Sequence, residues 1–206
     1  YPLGTTRPFS QGLATSSSVD PPSVRAPLPA VGVAPAPGGY RVALVDGTVL
    51  RQPGQVVEAG DSSATPFVGI AAAPGGGAFW LATSDGGVYA YGGAGFHGSA
   101  YGLALRAPIV GIAATPTGLG YWLVGADGGV FAFGDARYAG SAAGLHLGAP
   151  VVGMASAPDG GGYWLAGADG GVFAFGDAGF AGSAGSFPLV APVVGIAPDT
   201  TTGGYG

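Results

Sequence analysis

The chain has 206 residues, and its 44 Gly and 18 Pro together make up about 30%, a share that signals disorder unless a period runs through it. Only 8% of the residues are charged while 48% are hydrophobic, and the mean hydropathy is +0.44, which argues against a solvated disordered tail. With a net charge of −5, six singly placed Arg and no Lys, Cys or Asn, the chain is not expected to bind nucleic acid; disulfides, Cys-ligated zinc and N-glycosylation are excluded.

In chain order, residues 1–28 read as an N-terminal arm whose Ser-rich and Pro-rich stretch at 14–23 suits an extended linker and O-glycosylation. Beyond it a period takes over. Pro66, Pro108, Pro150 and Pro192 stand 42 residues apart, and Phe79-Trp80, Tyr121-Trp122 and Tyr163-Trp164 keep the same step. So do Asp85, Asp127 and Asp169, each followed by Gly-Gly-Val, and the Gly-Ser-Ala triplets at 98–100, 140–142 and 182–184. A shorter, diverged copy precedes them, which divides the repeat domain 29–206 into 29–65, 66–107, 108–149, 150–191 and a partial unit 192–206.

Within 108–149 the turn residues separate short apolar runs, which predicts strands at Ile109–Ala114, Tyr121–Gly125 and Val130–Phe133 and a weak fourth at Arg137–Ser141. Asp127-Gly128-Gly129 makes the hairpin turn, its Asp side chain capping it. Phe131 and Phe133 share one face and Val130 and Ala132 the other, so each sheet is dry on both faces and must lie between two others. Four-stranded units of about 42 residues, stacked this way, predict an all-β chain and a β-propeller of four repeats plus a partial fifth. The alternative is a β-solenoid or open stacked sheet array. The 28 residues before the first unit and the 15 from Pro192 onward nearly add up to one unit, and Phe9 and Gly12 keep the spacing of Phe173 and Gly176. The arm therefore closes a fifth blade within the chain, completes the open blade of another copy as a homo-oligomer, or the chain belongs to a longer array.

The run Gly-Tyr-Trp-Leu-Val-Gly-Ala-Asp-Gly-Gly-Val-Phe-Ala-Phe-Gly-Asp-Ala at 120–136, followed by Tyr138-Ala139-Gly140-Ser141, resembles the "YWLV-x-x-DGG-V-F-x-F-G-D-A" repeats of secreted and cell-surface proteins of high-GC actinobacteria. The resemblance covers 66–206 well and 29–65 poorly. It implies propeller-like blades and a secreted or cell-surface location, often beside cell-wall hydrolases, and it transfers no catalytic residue.

The candidate chemistry is sparse. Trp80, Trp122 and Trp164 are candidate platforms for sugar faces, although their recurrence equally suits packing between units. Residues that break the pattern are the other candidates: His97, Tyr101, Arg106, Arg137 and His146, all in or near the connectors, where they would bind a partner if the connectors gather on one rim. One Glu, two His and no Lys or Cys leave little for catalysis, and no metal ligand set, cofactor motif or membrane span is expected. The uncharged stretches 107–126, 138–158 and 178–198 approach spanning length but are each broken by several Gly and at least two Pro. The expected function is a non-catalytic binding or scaffolding module with a protein or cell-wall glycan as partner. A self-assembling subunit and the targeting module of a cell-wall hydrolase are the alternatives.

Overall fold

The computed structural model describes residues 28–52, 55–58, 63–199 and 201–206. The closing or bridging role expected of the arm rests on residues outside this set. Among the described residues all regular structure is β. The first sheet holds β1 (Ala30–Ala36), β2 (Gly39–Leu44), β3 (Val49–Gln52) and β4 (Gln55–Glu58). The second holds β5 (Phe67–Ala72), β6 (Phe79–Thr83) and β7 (Val88–Tyr91), and the third β8 (Ile109–Ala114), β9 (Gly120–Gly125) and β10 (Val130–Gly134). The fourth holds β11 (Val151–Ser156), β12 (Gly162–Gly167) and β13 (Val172–Gly176). Each is an antiparallel meander.

The four-stranded expectation holds only for the first sheet, and the strand expected at Arg137–Ser141 does not form. The reason lies in where that segment's polar groups go. Ala139 N–H donates to the Tyr163 hydroxyl at 3.1 Å, and that hydroxyl donates to Gly140 O at 2.6 Å. Gly140 has φ +139, outside strand geometry, and just beyond it Ala142 N–H donates to Gly128 O at 2.9 Å. A tyrosine of the next unit thus satisfies the backbone that a ladder would otherwise serve.

The sheets stack through their two apolar faces. Tyr121, Leu123, Phe131 and Phe133 meet Trp80, Ala82 and Val88 of the preceding sheet, whereas Trp122, Val124, Val130 and Ala132 meet Tyr163, Leu165, Phe173 and Phe175 of the next. The alternation read from the sequence is therefore the one that builds the interfaces. First strands lie beside first strands: β1 against β5, β5 against β8, and β8 against β11. Each carries a bulge just before its glycine, at Gly32, Gly69, Gly111 and Gly153. The repeated prolines cap this arrangement. Pro108 O accepts from Ala126 N–H at 2.9 Å, and Ala126 O accepts from Val151 N–H of the next unit at 3.0 Å.

The first unit departs from the pattern at its centre. Arg41 pairs with Ala34 as Trp80 does with Ala71, so an arginine occupies the tryptophan position. It is buried, donates to Gly76 O and Gly77 O, and lies 4.4 Å over the Phe79 ring. At the other end Val193 N–H bonds Ala168 O, and Tyr205 packs on Trp164, its hydroxyl reaching Gly182 O, as Tyr121 and Tyr163 do in their units.

Candidate functional site

The hairpin turn after β6 is where the repeat acquires extra polar groups. Gly86 takes φ +88, and a Cβ there would lie 2.7 Å from the Ala100 Cβ, so the turn requires glycine. Asp85 Oδ1 accepts from Gly87 N–H at 3.2 Å, the capping role that Asp127 and Asp169 also play at 2.9 Å. Of these three hairpin carboxylates only Asp85 gains two hydroxyl donors, Thr83 at 2.6 Å on Oδ1 and Thr65 at 2.8 Å on Oδ2, an arrangement that Asp135 also has with Thr115 and Thr117. The corresponding positions hold Gly125 and Gly167, and Ala107 and Ala149. Burial pushes the Asp85 carboxyl up, but the bonds from Thr83, Thr65 and Gly87 together outweigh it and hold the group below its ordinary value of 3.8. It is an anionic acceptor at neutral pH, not a general acid.

Asp85 looks into a cleft of about 420 Å³ bounded by Ser63, Thr65, Tyr89, Phe96, Ser99 and Tyr101. Phe96 is 62% and Tyr101 70% exposed, so the mouth is aromatic and the floor polar. A second cleft of about 630 Å³ adjoins it, sharing Asp85 and Tyr101 and running along the connector to Leu105 and Arg106. Aromatic faces beside a few fixed polar groups are how proteins hold small polar ligands in orientation.

Of the residues expected from the sequence, Tyr101 and Arg106 come together at these clefts. Arg137 lines a separate cleft of about 330 Å³ with Thr115, Thr117, Asp135 and Asp159, and His146 is exposed away from both. His97 is half-buried, its ring 6.2 Å from Trp80 and 5.8 Å from Tyr121, wedged into the joint between two units. Trp80, Trp122 and Trp164 are 0% exposed and present no ring face to solvent. Their indole N–H groups donate to Gly95, Arg137 and Gly179 carbonyls at 2.7, 2.8 and 2.8 Å. Sequence reasoning missed Thr65, Thr83 and the cleft that Asp85 lines. The signal was present, because both threonines break the period, at positions where the later units carry Gly or Ala.

Among the described residues no group of three or more His, Cys, Asp or Glu is placed to hold a metal ion, and no helix is long and apolar enough to cross a membrane. No protein-family model matches the chain, and a search of curated proteins gives no match either.

Proposed function

We propose that the protein is an exported, non-catalytic β-propeller of about 42-residue blades that serves as a binding or scaffolding module at a cell surface or in an extracellular assembly. Its partner, a protein or a cell-wall glycan, sits in the joined clefts at Asp85, Tyr101 and Arg106. The observation that carries the reading is the coincidence at one place of the pattern-breaking Thr65, Thr83, Tyr101 and Arg106 with an ionised acceptor. The propeller arrangement is supported by first strands lying side by side with glycine at each close approach, since innermost strands converge on an axis and leave no room for bulk. Export is supported by the resemblance of the repeats to those of secreted actinobacterial proteins.

The test is a binding screen against wall polysaccharides, peptidoglycan fragments and extracellular proteins, repeated with Tyr101→Ala and Arg106→Ala. Both side chains are exposed, so the variants fold. Affinity for the true ligand is expected to fall about tenfold or more in Tyr101→Ala. Undiminished binding of every ligand by both variants would remove the clefts as the site.

A further inference from the structure

Three aromatic side chains stand exposed at the same place in three successive units. Phe96, Tyr138 and Phe180 are 42 residues apart and 62%, 62% and 63% exposed. Each is held from both sides. The residue before it offers the carbonyl that accepts the tryptophan N–H of its own unit: Gly95, Arg137 and Gly179. The residue after it, His97, Ala139 or Ala181, donates its N–H to the tyrosine hydroxyl of the next unit, at 3.1 Å in all three cases. The backbone beneath each ring is thus pinned to a buried tryptophan and to the tyrosine of the next unit, and the ring itself stays in water. Single exposed apolar residues need no explanation, but the same exposed aromatic position kept through three units is a patterned apolar surface.

We propose that Phe96, Tyr138 and Phe180 form a platform for a linear polysaccharide laid across the units. This rests on the binding-module reading above and names its ligand class. The C–H face of a pyranose ring is apolar and its rim is hydroxylated, which suits an aromatic face with polar neighbours. Three residues beyond each ring stands a serine, Ser99, Ser141 or Ser183. At the first ring the carboxylate of Asp85, Thr65 and Tyr101 share the same cleft. With one ring in each of three successive units, the platform repeats with the units and matches a ligand that is itself a repeat. Because the backbone is already fixed, little ordering cost falls on binding.

The experiment immobilises linear wall and plant polysaccharides (chitin, cellulose, xylan, mannan) and follows any that binds with its soluble oligosaccharides, from disaccharide to octasaccharide, by titration calorimetry. Tyr138→Ala and Phe180→Ala are compared with Leu119→Ser, an exposed apolar site whose counterparts in the neighbouring units are Gly77 and Gly161. The expected result is affinity that rises about tenfold or more with chain length, the gain being lost in Tyr138→Ala and Phe180→Ala and kept in Leu119→Ser. Length-independent binding that ignores the row, or loss in Leu119→Ser as great as in the row variants, would overturn the platform. Binding of a protein alone, dependent on Tyr101, would overturn it while leaving the binding-module reading intact. Failure of every polysaccharide and every protein to show Tyr101-dependent binding would overturn both.

Discussion

The joint between units is built from two side chains, and each uses its polar atom as well as its ring. Trp122 packs 5.6 Å from Tyr163 and donates its indole N–H to Arg137 O at 2.8 Å, while the Tyr163 hydroxyl bridges Ala139 N–H and Gly140 O. Truncating a buried Trp to Ala costs about 3–5 kcal/mol, which would mix packing with bonding. Trp122→Phe separates them: it keeps most of the apolar volume and strands the Arg137 carbonyl. We expect about 1–3 kcal/mol of destabilisation, read as a lower urea midpoint at unchanged slope. A variant as stable as the parent would show that the indole hydrogen bond adds nothing to the joint. The first joint reaches the same end differently, with the Arg41 guanidinium laid over Phe79 and bonded to backbone carbonyls.

First strands approach one another closely because glycine stands where they touch. A Cβ at Gly69 would lie 3.4 Å from Ile112 Cγ2 and 3.6 Å from the Gly111 Cα, ordinary contact for one methyl and no space for more. Gly69→Ala is therefore expected to change stability by less than about 1 kcal/mol, its lower unfolded-state entropy offsetting slight crowding. Gly69→Leu should destabilise by about 1–3 kcal/mol. Paired thermal unfolding of the two variants checks this, and equal melting temperatures would contradict the close approach. Much of this level was legible in the sequence. The strand expected at Ile109–Ala114 is β8 without change, and β9 and β10 each differ by one residue at an end, because turn chemistry and period-2 alternation are local signals. That no fourth strand forms at Arg137–Ser141 was not legible, since the backbone there is satisfied by a tyrosine hydroxyl from 24 residues further on. The candidate site was readable only in part. Tyr101 and Arg106 announced themselves by breaking the period, whereas Phe96 kept step with Tyr138 and Phe180 and so did not stand out, although it is exposed.

Across the whole molecule the cores lie in the gaps between sheets, and the tyrosines that close those gaps make the assembly sensitive to alkali. Burial pushes the phenols of Tyr121 and Tyr163 above their ordinary value of 10.0, against the opposing pull of hydrogen bonds to the backbone of the preceding unit. The native state thus holds these protons more tightly than the unfolded chain. Their contribution to stability is complete below about pH 10 and is lost as pH rises through the native values. Urea midpoints should stay level on approach to pH 10 and fall beyond it. The double variant Tyr121→Phe, Tyr163→Phe should fall less steeply, and an unchanged slope would place the alkaline transition on other groups.

The tryptophan–tyrosine joint also has a direction. A middle unit offers its tryptophan to the unit after it and its tyrosine to the unit before, and every surface needed to accept a neighbour is carried by the neighbour's own copy of the motif. Duplication or loss of one whole 42-residue stretch in the gene recreates a joint of the existing kind, with no compensating change elsewhere. Length can therefore vary in whole steps by recombination alone.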